Sequence, residues 1–450
     1  MSTPSPGGSQ RFDVTNRSIL GIAVPMTLAY LSTPLLGLVD TAVIGRLGSA
    51  ALIGGIALGS IVFDLVFTTF NFLRSGTTGL TAQALGTGDR IEQVCVLLRA
   101  VILALVAGVA IIVLQVPLIE GGLLFLGGTD EVQQAARSYL SVRIYSAPFA
   151  LANYAILGWF IGMGRAGRGL VLQTFLNGLN IALSVLFVLG LGWGIKGVAL
   201  ATAASEIATA LAGALMILGG LRRTPAQGLD WARVRDGAAF RRMIAVNGDI
   251  MVRSFTLLFA FAFFAARSAA QGDVVLAANA VLQRLIIVSA YFLDGFAAAA
   301  EQVAGRAVGA RYRPAFDRAV RLTLVWGFAL AGFAALVLLV AGPSLVDLVT
   351  TNEEVREVAR VYLLWAVIVP LFGVLAYQMD GIFIGATWSR DMRNMMLLSL
   401  AVFLAAYFAM FPIFGNHGLW AAFLIFIGIR GASLGYMCRV RADQTFAGAA

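Results

Sequence analysis

Histidine and cysteine are nearly absent from this chain of 450 residues. The single histidine, His417, and the lack of an HExxH motif exclude a buried zinc hydrolase, which needs two imidazole ligands at helical spacing. The two cysteines, Cys95 and Cys438, stand far apart, so the sequence predicts neither a disulfide framework nor a metal site. We therefore expect no metal, no cofactor and no catalytic residue, and a protein that is not an enzyme.

Charged residues are also scarce. They make up 12% of the chain, while hydrophobic residues make up 60%, and the mean hydropathy is +0.88. Soluble domains carry about 25% charged residues. We predict an all-α polytopic membrane protein with about twelve transmembrane helices, since each crossing requires roughly 20 apolar residues. The predicted spans are 17–44, 50–84, 95–117, 138–162, 169–190, 196–220, 243–267, 274–304, 321–341, 360–385, 395–412 and 418–437.

The net charge of +9 could indicate a nucleic-acid partner, but the distribution of the arginines does not. Residues 1–16 are polar and lack the apolar segment of a signal peptide, so we expect a cytosolic tail. With that orientation most of the arginines fall in cytosolic segments, as the positive-inside rule requires. The basic charge therefore predicts topology, with both termini in the cytosol, and no nucleic acid as a partner.

The chain contains an internal repeat. YAILGWFIG at 154–162 matches YQMDGIFIG at 377–385, QALGTGDR at 83–90 matches RAVGARYR at 306–313 with the same offset, and GIKG at 194–197 matches GNHG at 415–418 with nearly that offset. An even number of spans per repeat predicts two six-helix lobes related by a pseudo-two-fold axis along the membrane normal. The predicted segments are an N-terminal tail (1–16), an N-terminal lobe (17–221), a linker (222–242), a C-terminal lobe (243–437) and a C-terminal tail (438–450).

One carboxylate, Asp40, follows the apolar segment Ile19–Val39 inside the first predicted span. A charge at membrane depth costs several kcal/mol, so such residues commonly face a polar cavity and mark an ion or proton pathway. We predict that Asp40 switches between a neutral and a charged form. At the repeat offset Asp40 aligns with the apolar residues 260–264, so only the first half carries an acid there.

Polar side chains at helical spacing on the fourth, fifth and sixth spans are predicted to line one cavity with Asp40. The alternative is that these residues hold helices together through interhelical hydrogen bonds, each worth about 0.6 kcal/mol. The predicted cavity residues are Asn153, Tyr154, Asn177, Asn180, Ser184, Thr202 and Glu206.

Local spacing also predicts a hinge and an ion pair. Pro25 and Pro34 both fall in the first span, where each removes a backbone hydrogen bond and favours bending, although a static kink is equally compatible. Asp249 and Arg253 are four residues apart on one helix and form a candidate ion pair. In the linker, residues 230–240 are predicted to form a short interfacial helix or a solvated connector.

Six motifs taken together resemble those of the multidrug and toxic compound extrusion (MATE) transporters, specifically the branch of DNA-damage-inducible protein F (DinF). The resemblance covers about residues 17–437. The motifs are VDTAVIGRLG (39–48), FLRSGTTGLTAQALG (72–86), WGIKGVALAT (193–202), NGDIMVRS (247–254), AYFLDGF (290–296) and DGIFIGATWSRDMRN (380–394).

This resemblance implies twelve helices in two six-helix lobes, arranged as a V around a central cleft, and a monomer in the cytoplasmic (inner) membrane. It implies export of small organic molecules, cationic or amphipathic, driven by inward flow of protons or of sodium ions. The partners implied are thus the small-molecule substrate and the lipid bilayer.

Residue by residue, Asp40 occupies the position of the family's essential acid, and Pro25 that of a proline thought to permit bending. Asn177 and Asn180 match two asparagines of the fifth helix. Ser184 stands where the family usually has an aspartate. The departure leaves Asp40 as the principal titrating group.

Two further acids enter as hypotheses. Glu206 supplies a second acid in place of the missing aspartate, and Asp380 resembles an acid that some sodium-coupled relatives use. Two other functions remain open from the sequence. A flippase for a lipid-linked precursor would need a more cationic cavity than Arg74 and Arg284 provide, and an intramembrane enzyme would need a catalytic constellation that the sequence lacks.

Overall fold

The computed structural model describes residues 11–46, 49–222 and 230–447. Parts of the predicted tails and linker, namely 1–10, 223–229 and 448–450, lie outside the described residues, as do residues 47–48 of the first motif. In the described part of the N-terminal tail, the ring of Phe12 lies 4.0 Å from the guanidinium carbon of Arg306.

The described chain is helical throughout. In the N-terminal half (residues 16–222), the helices are α1 (Asn16–Gly45), α2 (Ala50–Thr69), α3 (Phe72–Gly86), α4 (Arg90–Val113), α5 (Gln115–Leu126), α6 (Asp130–Arg143), α7 (Ala147–Gly162), α8 (Ala166–Ser184) and α9 (Gly194–Arg222). A 3₁₀ turn (Ile144–Ser146) joins α6 to α7, and a π-helical segment (Val185–Gly190) continues α8.

The linker and the C-terminal half (residues 237–446) follow the same pattern with longer helices. They are α10 (Trp231–Val234), α11 (Gly237–Ala269), α12 (Asp273–Gly309), α13 (Arg313–Val349), α14 (Glu353–Ala386), α15 (Ser389–Phe414) and α16 (Asn416–Phe446). The last helix continues beyond residue 437, where the sequence predicts its span to end.

Length and composition make these helices membrane spans. Within the described residues, eleven helical segments are long and apolar enough to cross a bilayer. The 30 residues of α1 also exceed the roughly 20 that a crossing requires. Large apolar side chains such as Val113, Leu124 and Phe125 are exposed on the surface, as expected where lipid is the solvent. The prediction of a multi-pass membrane protein is confirmed.

The linker forms two helices instead of the single one predicted for 230–240. Asp230 accepts hydrogen bonds from the main-chain N–H groups of Ala232 and Arg233, and Asp236 accepts one from Ala238. Each aspartate therefore begins its own helix. The buried guanidinium of Arg99 donates to the carbonyl of Arg233 at 2.6 Å and fixes the end of α10.

The described residues form two compact units. One consists of Leu28–Thr81 and Asp89–Met243, and its apolar core joins α2, α4, α6 and α7. The other unit consists of the described residues up to Thr27, Ala82–Gly88 and the residues from Ile244 onward. Its core is rich in aromatic rings of α11, α14, α15 and α16. The division in α1 therefore falls after Thr27, between the two prolines of that helix.

Small residues repeat the same helix contacts in both halves. Gly158 and Gly162 of α7 lie so close to the carbonyls of Arg74 and Thr78 in α3 that a Cβ atom would collide with them. The equivalent contacts occur one repeat later, between α14 and α12. They are made by Gly381 with Ala297 and by Gly385 with Glu301.

One contact joins the two copies of the repeat reciprocally. Gly86 lies against the carbonyl of Arg306, and Gly309 lies against the carbonyl of Gln83. Gly86 is the repeat equivalent of Gly309, and Gln83 is the repeat equivalent of Arg306. The same two positions therefore meet twice, each time with one residue from either copy of the repeat. That exchange of partners is the signature of a two-fold relation.

Candidate functional site

Asp40 lies near the end of α1, with 8% of its surface exposed. The hydroxyl of Ser184 on α8 donates to its Oδ1 at 3.1 Å. The same hydroxyl oxygen is 3.3 Å from the amide oxygen of Asn180. A hydroxyl carries one proton, so Ser184 can donate to only one of these two acceptors at a time.

The hydrogen bonds continue from α8 to α9. The amide nitrogen of Asn180 donates to the hydroxyl oxygen of Thr202 at 2.8 Å, and that hydroxyl donates to the carbonyl of Val198 at 3.1 Å. All four side chains of this chain of bonds are buried. The structure thus brings together four of the predicted site residues, Asp40, Ser184, Asn180 and Thr202.

Asn177 belongs to a different contact, although it shares the polar stripe of α8. Its amide donates to the hydroxyl of Ser32 on α1 at 2.7 Å, and Gln173 donates to its amide oxygen at 3.2 Å. The hydroxyl of Ser32 in turn donates to the carbonyl of Ala29. Asn177 therefore ties α8 to the part of α1 between the two prolines.

Asn153 and Glu206 connect α7 to α9. The amide of Asn153 donates to the main-chain carbonyl of Glu206 at 2.9 Å. The side chain of Glu206 is 8% exposed, and its Oε2 has no hydrogen-bond partner in the described residues. Tyr154, next to Asn153, lies within electrostatic range of Glu206. A buried carboxylate oxygen without a partner is costly, so Glu206 stays a candidate for binding a proton or a cation.

The sequence missed one residue of this site, Arg143. It is the last residue of α6, its guanidinium carbon lies 3.7 Å from the centroid of the Phe63 ring, and it donates to the hydroxyl of Tyr139. Its charge acts on Asp40 and on Glu206. From the sequence, Arg143 is counted with the outer loops. The available signal is its position four residues after Tyr139, inside the predicted fourth span.

Both helices that carry these groups lose their regular geometry beside the site. The 3₁₀ turn Ile144–Ser146 follows Arg143 directly, and the π-helical segment Val185–Gly190 follows Ser184 directly. Short 3₁₀ and π segments within helices often mark functional positions. The irregularities thus point to the same site as the hydrogen bonds.

The two prolines predicted to form a hinge lie in an unbroken helix. Pro25 is half-buried and Pro34 is exposed, and α1 continues through both. Their role as a hinge stays a prediction.

Asp380, the acid singled out in the second half, is held by two arginines. Arg253 and Arg430 both donate to its Oδ2, and all three groups are largely buried. Two guanidinium groups at one carboxylate oppose the binding of another cation there. The geometry therefore favours a structural role over a sodium site.

The predicted ion pair between Asp249 and Arg253 is wrong. Asp249 pairs with Arg393 at 2.6 Å and accepts a hydrogen bond from Ser389 at 2.9 Å. Arg253 pairs with Asp380 instead. One turn of α11 thus separates two ion pairs, because each side chain reaches a different neighbouring helix.

Metal-ligating groups are not gathered in the described chain. No group of three or more His, Cys, Asp or Glu residues in ranges 11–46, 49–222 and 230–447 could hold a metal ion. His417 lies in the first turn of α16, where its Nδ1 accepts a hydrogen bond from the indole of Trp365 at 3.1 Å. Cys95 and Cys438 are both free and buried.

Comparison with known proteins identifies the family. The family model described as MatE matches residues 25–186 and 250–410. The chain is 39% identical over 431 residues to DNA damage-inducible protein F of Escherichia coli (strain K12), over 94% of this chain and 92% of that protein. It is 26% identical over 430 residues to Protein DETOXIFICATION 44, chloroplastic, of Arabidopsis thaliana, over 92% of this chain and 80% of that protein.

A solved structure shares the fold. An outward-facing conformation of a multidrug resistance MATE family transporter of the MOP superfamily matches with a TM-score of 0.85 at 19% identity, over 95% of this chain and 96% of that chain. This match confirms the predicted fold class.

Proposed function

The chain belongs to the MatE family of transporters, and we propose that it is an antiporter that exports organic, cationic or amphipathic compounds in exchange for protons. The observation that carries this proposal is the buried chain of hydrogen bonds from Asp40 through Ser184 and Asn180 to Thr202. It contains one ionisable group, the carboxyl group of Asp40. The hydroxyl of Ser184 can reverse its hydrogen bond, while Asn180 and Thr202 keep theirs.

Protonation of Asp40 rearranges two bonds of this chain. While Asp40 is ionised, the hydroxyl of Ser184 donates to the carboxylate at 3.1 Å. When a proton binds, the carboxyl group donates to the oxygen of Ser184, and the hydroxyl proton of Ser184 turns to the amide oxygen of Asn180, 3.3 Å away. Asn180 keeps its bond to Thr202 throughout. One proton thus changes how α1 and α8 are joined, and it gives the amide oxygen of Asn180 the donor that it lacks while Asp40 is ionised.

This rearrangement acts on the part of α1 that follows Thr27. Asn177 and Ser32 hold that segment to α8 just before Pro34. We propose that α1 bends in the region of Pro25 and Pro34 when Asp40 is protonated, which changes the cavity around Asn153, Tyr154 and Thr202. Antiport follows if substrate and proton favour different arrangements, since a ligand shifts only an equilibrium that it binds differentially.

Protons are preferred over sodium as the coupling ion for a structural reason. A bound metal cation requires several oxygen ligands around one point, whereas a proton needs the carboxylate of Asp40 alone, the one ionisable group in its chain of hydrogen bonds. The arginines around Asp380 oppose a cation in the second half. These two arginines already donate to Asp380, so they give no support to a flippase that binds an anionic lipid precursor.

We further propose that the protein is a monomer in the cytoplasmic (inner) membrane with both termini in the cytosol, and that it is neither an enzyme nor a nucleic-acid binder. The arginines of the linker suit the cytosolic side under the positive-inside rule.

Transport by purified protein in proteoliposomes tests the proposal. A proton gradient and a sodium gradient are imposed separately, and uptake of a fluorescent organic cation is followed. We expect the wild type to respond to the proton gradient, and Asp40→Asn to lose that response because Asn cannot bind the proton. Asp317→Asn, which changes an exposed surface pair with Arg313, serves as the control.

Transport by Asp40→Asn equal to that of the wild type, with the same dependence on the proton gradient, would overturn the assignment of Asp40. A response of the wild type to sodium alone would replace the proton as the coupling ion.

A further inference from the structure

A cavity lies between the start of α13 and the end of α16. Its volume is about 480 Å³, within the range of about 300–1,000 Å³ that is typical of small-ligand pockets. At one end of the cavity, Arg313 in the first turn of α13 donates to Asp443 in the last turn of α16 at 2.6 Å. One helix therefore begins where the other ends, and the two run antiparallel along the cavity.

Two arginines of this cavity are unpaired. Arg321 on α13 and Arg439 on α16 are exposed, and neither forms an ion pair or a hydrogen bond with a residue of ranges 11–46, 49–222 and 230–447. The third arginine, Arg313, pairs with both acids of the cavity, with Asp443 at 2.6 Å and with Asp317 at 3.5 Å. Three guanidinium groups and two carboxylates leave one positive charge in excess. The two unpaired arginines are thus available to an anion.

Most of the remaining lining is apolar. Phe316 is buried, and Val320 and Leu324 are half-buried on the same side of α13. At about 1.5 Å per residue, Leu324 lies about 16 Å further along the helix than Arg313. One turn beyond Leu324, the ring of Phe328 is exposed on the apolar surface. The cavity therefore leads from a charged end towards the part of the helix that faces lipid.

The unpaired arginines lie at the depth of the lipid headgroups. The predicted span of α13 begins at Arg321, and the predicted span of α16 ends just before Arg439. Arginine side chains at the ends of membrane helices extend towards the interface. The positive-inside rule assigns this end of both helices to the cytosolic side, where basic pockets between transmembrane helices bind anionic headgroups.

We propose that this cavity binds one anionic phospholipid, whose phosphate group is held by Arg321 and Arg439 and whose acyl chain lies along Val320 and Leu324. A guanidinium group presents a planar set of donors that matches phosphate oxygens. One phosphodiester balances the single positive charge in excess, whereas a zwitterionic lipid brings its own ammonium group. Free phosphate offers the same oxygens but leaves the apolar wall uncovered. The site does not depend on the proposed transport mechanism.

Native mass spectrometry of the purified chain in detergent tests the site, because it counts the lipids that stay bound. Phosphatidylglycerol is the anionic probe, phosphatidylcholine the zwitterionic probe and inorganic phosphate the soluble one. We expect the wild type to bind one phosphatidylglycerol at least about tenfold more tightly than phosphatidylcholine, and an excess of inorganic phosphate to leave it bound. The variant Arg321→Gln/Arg439→Gln should lose this preference, and Arg321→Lys/Arg439→Lys should keep most of it.

The matched control is Arg318→Gln/Arg390→Gln. It removes the same charge from two exposed arginines of the C-terminal half that do not line the cavity, and it should keep the preference. An equal loss in this control and in Arg321→Gln/Arg439→Gln would show that net charge alone attracts the lipid. Full retention by Arg321→Gln/Arg439→Gln would equally overturn the site. Displacement by inorganic phosphate would exclude the lipid as the specific ligand.

Thermal unfolding of the same samples checks the folding of the variants. Because Arg321 and Arg439 have no partner to lose, their Gln variant should unfold at the wild-type temperature without lipid. Phosphatidylglycerol should raise the unfolding midpoint of the wild type, since a ligand that binds the folded state stabilises it, and should raise that of the Gln variant less. Equal shifts of the wild type by phosphatidylglycerol and phosphatidylcholine would contradict the proposal without any variant.

Discussion

The two halves of this protein use one helical plan, but within the described residues only the N-terminal half interrupts it. There, regular helix is lost around Phe70 and Asn71, at Leu114, in the turn Ile144–Ser146 and in the segment Val185–Gly190. At the repeat offset, the corresponding positions fall within α12, α13, α14 and α15, which continue as α-helices in the described stretch 230–447.

This difference indicates which half is built to change shape. An interrupted helix leaves main-chain groups outside the regular hydrogen-bond ladder and can bend there, whereas a continuous helix without an internal proline resists bending. Two of the interruptions adjoin Arg143 and Ser184. We infer that the N-terminal half carries the switching elements, and that helix contacts of the C-terminal half away from its internal prolines Pro343, Pro370 and Pro412 are the more rigid ones.

Charges follow the same division. Tyr154 and Tyr377 are equivalent tyrosines of the repeat. Around Tyr154 the buried acid Glu206 leaves an oxygen unpaired. Around Tyr377, by contrast, two buried arginines already share one carboxylate. The unpaired oxygen of Glu206 can gain a proton or a cation as its partner, whereas the carboxylate of Asp380 is held by two arginines. We therefore infer that the region around Tyr154 responds to a proton or a cation, and that the region around Tyr377 stabilises the fold.

Removing the shared carboxylate gives the largest expected effect on stability. Asp380→Asn removes the carboxylate to which two buried guanidinium groups donate, and we expect a loss of about 3–5 kcal/mol. The measurement is the midpoint of thermal unfolding in detergent. Asp40→Asn is the matched control, because it removes one carboxylate whose hydrogen bond from Ser184 an amide oxygen can also accept, and should cost about 1 kcal/mol or less. Equal losses in the two variants would contradict the contrast between a structural role of Asp380 and a titrating role of Asp40.

The equivalent glycines Gly158 and Gly381 compare the rigidity of the halves directly. An added Cβ would collide with the carbonyl of Arg74 or of Ala297, so each change to Ala should cost about 1–3 kcal/mol through overpacking. We expect Gly381→Ala to lower the unfolding midpoint more, because continuous helices yield less. The control, Gly178→Ala, meets no atom within 4 Å and should be neutral or stabilising by up to about 1 kcal/mol. A larger loss for Gly158→Ala would reverse the inference.

The smallest expected effect on stability concerns the start of α4, which has a side-chain cap that the equivalent start of α13 lacks. Asp89 caps α4 by accepting from the N–H of Glu92 at 3.0 Å and pairs with Arg233 at 2.6 Å. Its repeat equivalent, Tyr312, makes no such bond at the start of α13. The hydrogen bond from Arg233 lowers the pKa of Asp89.

Since the folded pKa of Asp89 lies below its ordinary value, the stabilisation is present above about pH 4 and is lost as the pH falls through the lowered pKa. Asp89→Asn keeps the cap and removes the charge, so it should cost about 0–1 kcal/mol. The fall of the unfolding midpoint at acid pH should also become less steep in this variant. Asp89→Ala should cost about 1 kcal/mol more by losing the cap. If the unfolding midpoint of Asp89→Asn falls at acid pH as steeply as that of the wild type, another carboxylate causes the fall.

Helical periodicity was sufficient to predict much of the fold and part of the site. The spans follow from apolar length, and the repeat follows from motifs that match at one offset. Spacing of three or four residues places Asn180 and Ser184 on one face of a single helix, and the resemblance to the MATE transporters singles out Asp40 on another helix. The partner of Arg253 could not be predicted in this way, because Asp380 is 127 residues away and several arginines compete for each acid.

The interruptions in the N-terminal half were missed for a related reason. Apolar composition predicts that a segment crosses the membrane, but it is the same on both sides of Phe70 and Asn71, where α2 ends and α3 begins. Arg143 was missed because a lone arginine near a predicted helix end usually indicates the membrane boundary. Only the positions of Phe63 and Tyr139 show that it lies beside Asp40 and Glu206.

The reciprocal contact of Gly86 with Arg306 and of Gly309 with Gln83 also fixes an order of events during synthesis. At about 5–20 residues per second, a ribosome needs about 10–45 seconds to extend the chain from one copy of this contact to the other. Until then Gly86, the last residue of α3, lacks the carbonyl of Arg306 to pack against. The first half can insert its helices, but it completes its own packing only after the second half has been made.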